Sequence, residues 1–495
     1  MTLISRARSF CKQACLGSLL ACITTSPILY AQNLPELSDS AALIMNKEQE
    51  KMFGKQVMLN VRARSTLSND VLLLDYFSTL AARLARQSPR DFGTITLSLA
   101  IDPAINAFAV PGGYITINTG LIENTRSEAE LASVIAHEIG HQSQRHISRS
   151  IERSKQLTLP ATAAMLGGLL LGGQAGAAAI LSARAAVVSD QLSYSRTFER
   201  EADATGMRML AAAGYAPEAM ADFFSQLEKQ SRLYGGPVME FLSTHPVSSD
   251  RIADGRSRAS RLKQSPTPEV TAADRLDYEH AEARTLALYD EPAEAVIKTF
   301  EHTLNNTELS ARTRQIAAYG LTIAYTRKDE YRKSFEMLRQ LRLKAPDNPL
   351  YRLAEAELAL ASGDAALAKS MFKQLYASDK SHPAYIKGYS LALINNGDNP
   401  AAIRVLRKTI RHRPEFDWAY GILARAYAAE GKILNATFIE AQELEHVGLY
   451  TRALSLLKQQ QHQSHPDSSE YLSASITSLI TEIEEEKRQL DNFDL

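Results

Sequence analysis

The chain has 495 residues, with 55 Lys+Arg against 56 Asp+Glu and a formal charge of −1. At about 150 residues per domain, that length gives three domains or two large ones. An apolar fraction of 45% and a charged fraction of 22% exclude wholesale disorder, a collagen-like fibre and a multi-span membrane protein, and the lack of a basic excess argues against a dedicated nucleic-acid binder.

Residues 1–31 read as a cleavable signal peptide. Arg6, Arg8 and Lys12 precede an apolar run from Ala14 to Ile23, and Leu29-Tyr30-Ala31 is a small-residue cleavage site. All three cysteines (Cys11, Cys15, Cys22) lie inside this segment. Its removal takes away three positive charges and no negative one, leaving a net charge of −4 and no cysteine. An exported chain that needs no disulfide fits a periplasm-like space. Lipidation at Cys22 is an alternative, weakened by Lys12, which leaves a short apolar run before it. The run is also short of the ~20 residues that a membrane span requires.

A strand is expected at Thr94–Ile101, from its alternating character. Asn106–Val110 and Tyr114–Ile117 read as an extended pair joined by a Pro111-Gly112-Gly113 turn. A helix is expected from Ser127, with Glu130 three residues on completing a capping box.

That helix carries His137-Glu138-Ile139-Gly140-His141, an H-E-x-x-H sequence. The two histidines are one turn apart, about 40° around the axis, so both imidazoles reach one metal. Glu138 lies about 100° from His137, at the edge of the same face, where it can take a proton from a water activated by zinc. Val134, Ile135, Ala136 and Ile139 make the helix a buried one, where unliganded histidines are costly. Residues 161–181 carry no charge. A single membrane crossing there would separate His141 from its partners, so the stretch reads as a Gly/Ala-rich hairpin or lid, with contact to a membrane surface as the other reading.

A catalytic zinc takes three protein ligands. In Phe198-Glu199-Arg200-Glu201-Ala202-Asp203-Ala204 two glutamates compete for the third place. Glu199, Ala202, Asp203, Gly206 and Leu210 share a small or apolar face, which favours Glu199. Glu201, Thr205 and Arg208 share a polar face, where Glu201 would be a solvated acid paired with Arg208 or other cations. Asp203, one turn after Glu199, is then placed to orient a ligand histidine.

Gln264–Pro268 opens a linker at 266–275, separating a mixed region (32–265) from a helical one (276–495). The helical region repeats. Turns at Gly363-Asp364, Gly397-Asp398 and Gly431-Lys432 are 34 residues apart, and Lys328-Asp329 adds a unit upstream. Ala359 and Ala368, and Ala428 and Ala436, read as small residues at helix crossings. The period resembles the tetratricopeptide repeat, although Pro346, Pro383 and Pro414 are unevenly spaced. Such arrays bind extended peptides or partner proteins.

H-E-x-x-H followed by E-x-x-x-D resembles the gluzincin metallopeptidases. Asn106-Ala107-Phe108-Ala109, the Pro-Gly-Gly turn and Thr244-His245-Pro246 narrow the likeness to the family of HtpX and the CAAX prenyl proteases, and the fused repeats to its periplasmic beta-barrel assembly-enhancing branch. The resemblance implies an α+β zincin-type metalloprotease domain, mostly helical with a small sheet, followed by an all-α tetratricopeptide-repeat solenoid. It implies one zinc per chain, an edge strand at Asn106–Ala109 that pairs with substrate backbone, His245 as a fourth, inhibitory ligand, and Arg251 as a substrate contact or a helix-capping residue. The implied substrates are misfolded or stalled outer-membrane proteins, and the implied partner is the barrel-assembly machinery. The competing reading is a chaperone or assembly factor in which binding dominates.

Overall fold

In the computed structural model, helix α1 (Lys47–Arg64) opens the described chain, started by a capping box in which Asn46 and Gln49 exchange hydrogen bonds of 2.9 Å. Residues 45–154, 195–234, 241–265, 276–461 and 469–491 are described, apart from Phe92 and Ser243. The expected signal peptide (1–31), charge-free stretch (161–181) and linker (266–275) lie outside the described residues. Helix α2 (Val71–Ala85) follows, with Asp70 accepting from Leu73 N at its start.

Three strands form one sheet in the order β1-β3-β2: β1 (Thr96–Ala100), β2 (Ala107–Val110) and β3 (Tyr114–Asn118). β1 runs parallel to β3, with Thr96 opposite Tyr114, and β2 runs antiparallel to it, with Ala107 opposite Ile117. β1 is shorter than expected and does not alternate. Leu97 to Ala100 are all buried, because a parallel strand beside a packed helix is covered on both faces, and α2 packs on β1. Beyond Ala100, Ile101 N leaves the ladder for Thr66 O. Asn106 lies just outside β2 and accepts from Asn118 N.

A short helix α3 (Thr119–Asn124) leads to α4 (Glu128–Ser143), which bears the histidine motif. Ser127 caps α4 as expected. The reciprocal arm is displaced by one residue: Glu130 accepts from Arg126 N at 2.7 Å. Helix α5 (146–154), α6 (195–212), α7 (Glu218–Tyr234) and α8 (Ser249–Ala259) complete this part.

From Tyr278 onward the described chain is helical. Asp329, Gly363, Gly397 and Gly431, 34 residues apart, all have positive φ (58°, 82°, 73° and 70°). At each, the next residue's N–H bonds back to the carbonyl five residues earlier: Glu330 to Tyr325, Asp364 to Ala359, Asp398 to Leu393, Lys432 to Tyr427. These are the same helix-terminating loop, repeated. The uneven prolines resolve into two sets. Pro349 and Pro383 each begin a helix, while Pro346 and Pro414 sit in the turns between helix pairs. Ala359 and Ala368 are buried, but Ala428 is exposed. The residue in register with Ala359 two repeats on is Tyr427, which is buried in its place.

The apolar core is continuous from α2 and the sheet to Leu353, Phe372 and Ala392 of the repeats. A buried Arg284 ties the parts together, bonding Asp70 at 2.7 Å and Glu357 at 2.9 Å. Among the described residues no helix is long and apolar enough to cross a membrane.

Candidate metal centre

Helices α4 and α6 cross at backbone contact. A Cβ on Gly140 would lie 2.8 Å from Ala202 O, and one on Gly206 3.0 Å from Ala136 O. This close approach brings Glu199 level with the two histidines of α4. His137 is fully buried, and Glu199 is 3% exposed. Nε2 of His137 lies 3.0 Å from Nε2 of His141. Glu199 places one carboxylate oxygen 3.4 Å from each of them. His245 closes the cluster, its Nδ1 3.3 Å from His137 Nε2 and 3.2 Å from Glu199 Oε1.

Donor atoms set tetrahedrally about 2.0–2.1 Å from one zinc stand about 3.3 Å from each other. The four residues His137, His141, Glu199 and His245 present one such atom each, all within 4.8 Å of one another. Three ring nitrogens and a carboxylate converging on one point make a donor set for a cation. Glu199 is held ionised: burial raises its pKa, but hydrogen bonds with His137, His141 and His245 lower it further.

His137 Nδ1 lies 2.9 Å from Asp203 Oδ1. Asp203 in turn receives two hydrogen bonds of 2.8 Å from Arg251, through Nε and Nη2. Arg251 is buried, and its remaining nitrogen reaches Pro246 O at 2.7 Å and Glu199 Oε2 at 2.9 Å. Its backbone N–H, not its side chain, serves the helix cap, donating to Ser248. The guanidinium therefore faces the cluster's supporting carboxylates and lies 4.8 Å over the Phe224 ring of α7, whose edge also meets His137.

Glu138 points to the other side. Its Oε2 accepts from Ala109 N at 3.2 Å, and its Oε1 lies 3.4 Å from His245 Nε2. Burial raises its pKa, outweighing His245 and His137. Ala109 belongs to β2, whose partner β3 lies on its other side, so the free edge of β2 faces Glu138. Gln142 fixes that edge by donating to Val110 O and, at 2.9 Å, to Tyr114 O. Ala107 is buried and Phe108 half-buried.

The two competing glutamates part company. Glu199 joins the cluster, while Glu201 turns away to His146 Nε2 at 3.0 Å and Arg149 Nη1 at 2.6 Å. Of the cations expected beside Glu201, Arg149 takes the place and Arg208 bonds Thr205. Thr205, assigned above to a polar face, is buried, because α6 is enclosed on more sides than an amphipathic surface helix. His146 lies beyond the H-E-x-x-H motif, which ends at His141, and the sequence signals it only through an acid on α6 in need of a cation.

The Peptidase family M48 profile matches residues 75–259, which enclose the whole cluster. A relative from Vibrio cholerae is 31% identical over 461 residues, covering 89% of this chain and 93% of its own length. Relatives from Yersinia pestis (29% over 445 residues; 89% of this chain, 90% of its own) and Escherichia coli K12 (28% over 456; 90% and 91%) are named beta-barrel assembly-enhancing proteases. With this likeness running through catalytic part and repeats alike, the chain is a metallopeptidase that belongs to the beta-barrel assembly-enhancing protease family.

Proposed function

We propose that this chain is an exported zinc endopeptidase of the periplasm that cleaves misfolded or stalled outer-membrane proteins. The convergence of His137, His141, Glu199 and His245 on one point carries the reading. His137, His141 and Glu199 are the zinc ligands, and Asp203 orients His137 through its Nδ1. When bound, zinc supplies Lewis-acid polarisation of a peptide carbonyl and acidifies water. Glu138 is the general base: buried, with raised proton affinity, it accepts the proton and passes it to the leaving amine. Substrate lies along the free edge of β2, adding a strand beside Ala107–Val110. His245 occupies the space between Glu138 and the ligand set, so the resting site is latent until the loop carrying it moves. Arg251 is assigned to support of Asp203 and Glu199, not to substrate.

The division at 32–265 and 276–495 separates catalysis from delivery. The 34-residue periodicity and its repeated turns favour tetratricopeptide units, which would dock substrate or the barrel-assembly machinery. A chaperone role that survives loss of catalysis is the second reading, favoured by the position of His245.

The test is casein cleavage by the purified chain beside Glu138→Gln, with zinc assayed in both. Zinc in both and a loss of about 10²–10⁴-fold in the variant are expected. Zinc in neither would sink the metal assignment. Zinc in both with no cleavage by either makes His245→Ala the decisive variant, since it should release activity from a latent site.

A further inference from the structure

His141 has only its Nε2 in the ligand cluster. Its other ring nitrogen, Nδ1, lies 2.8 Å from Nδ1 of His146. His146 is 3% exposed, and its Nε2 lies 3.0 Å from Glu201 Oε2, which also receives Arg149. Chemistry fixes the direction of this chain. A lone pair on His141 Nε2 faces the cluster, so Nδ1 carries the hydrogen and donates to His146 Nδ1. His146 then bears its hydrogen on Nε2 and donates it to Glu201.

The backbone is arranged to make this contact. Arg145, between α4 and α5, adopts a left-handed conformation (φ 55°) rare outside glycine. The turn it makes ends α4 and folds His146 back beneath His141. Arg145 is held in that state by Glu50 of α1, at 3.0 Å, and by Met45 O. Glu50 also takes Arg90 at 2.7 Å. The His146 ring is clamped flat on Phe198, 4.0 Å between centroids at 13°. Phe198 directly precedes Glu199, so the same clamp registers α6 against α5.

We propose that His146 is a positioning residue for the metal: an imidazole inserted between the ligand His141 and the carboxylate Glu201, fixing the tautomer and ring angle of His141. The inference rests on the metal reading above. It makes the two ligand histidines structural counterparts. His137 is held by Asp203, itself backed by Arg251, and His141 by His146, itself backed by Glu201, which Arg149 pairs. The ring of His146 bridges His141 Nδ1 to the carboxylate of Glu201. Supporting groups of this kind change metal affinity by about 10–100-fold.

The experiment is zinc competition against a chelator with the full chain, together with the visible absorption of the cobalt(II)-substituted protein, for wild type, His146→Leu, His146→Asn and Glu201→Gln. His146→Leu keeps bulk on Phe198 but offers no acceptor, and should bind zinc about 10–100-fold more weakly with an altered cobalt spectrum. His146→Asn places an oxygen where Nδ1 was, and should recover most of the affinity and the wild-type spectrum. Glu201→Gln should fall in the same direction by less than His146→Leu, and it decides the matter if His146→Leu does not fold. Wild-type affinity and spectrum in His146→Leu, or in Glu201→Gln where it decides, would overturn the inference. So would equal losses in the leucine and asparagine variants, which would make the role one of packing. A wild type that takes up neither zinc nor cobalt overturns the metal reading itself, a distinct result.

Discussion

Glycine does opposite work where α4 crosses α6 and at the turns of the repeats. Where α4 crosses α6, Gly140 and Gly206 have ordinary helical backbones, and what they supply is space: a Cβ would stand 2.8 and 3.0 Å from backbone oxygens of the facing helix. In the repeats, Gly363, Gly397 and Gly431 have positive φ and nothing within 4 Å of where a Cβ would be. What they supply is torsion. The first job depends on a partner some sixty residues away in the chain; the second is settled within one turn. Tolerance to substitution should therefore follow different rules. Size decides at the α4–α6 crossing, and backbone preference decides at the repeat turns.

The largest effect is expected at Gly140. In Gly140→Val the new side chain meets Ala202 backbone that cannot rotate away, so α6 must retreat and carry Glu199 with it. We expect zinc affinity to fall at least tenfold and stability to drop by about 1–3 kcal/mol, read by chelator competition and by urea unfolding. Gly140→Asn should fare no better, although asparagine accepts unusual torsions; its tolerance would break the comparison. Gly54 gives a second case away from the metal. It packs α1 against the turn that joins β2 to β3, and a Cβ there would lie 2.1 Å from Pro111 O. Gly54→Ala should cost a similar about 1–3 kcal/mol while leaving zinc affinity intact. Because the turn ends the proposed substrate edge, its signature in casein cleavage is a raised KM with kcat nearly unchanged.

The same contrast explains what was legible beforehand. The histidine motif, the start of α4 at Ser127 and the choice of Glu199 over Glu201 all follow from helical geometry, a local property. The 34-residue turn spacing is local too, since each positive-φ loop is specified by its own residues. The failures are tertiary. β1 is buried on both faces because α2 lies on it, which alternation in eight residues cannot reveal. Ala428 reads as a crossing residue because it is small, yet register with Ala359 two repeats earlier puts Tyr427 there. His146 escaped notice because its role depends on a left-handed Arg145 braced by Glu50, and three segments distant in sequence meet at that point. The place of the Arg251 guanidinium among Asp203, Glu199 and Pro246 depends on the packing of α6 and α8, which the local sequence does not carry.

The smallest effect, and the sharpest test of the torsional half, lies in the repeat turns. Nature has already made one substitution there: Asp329 stands in register with the three glycines at φ 58°, and Glu330 N still closes the loop on Tyr325 O. Asp and Asn tolerate the left-handed region better than other side chains, because their short polar groups bond locally, and Asp329 accepts from Tyr331 in this way. Gly397→Ala should therefore cost about 1 kcal/mol, the penalty of forcing a Cβ into positive φ, while Gly397→Asn should cost distinctly less. Asp329→Gly should be close to neutral, since it relieves torsion but adds unfolded-state entropy. Urea unfolding of the three variants orders them. An alanine variant as stable as wild type would show that these glycines are kept for something other than the turn. An asparagine variant as damaged as alanine would mean that the open space around Gly397 closes in solution, bringing it under the size rule that governs Gly140.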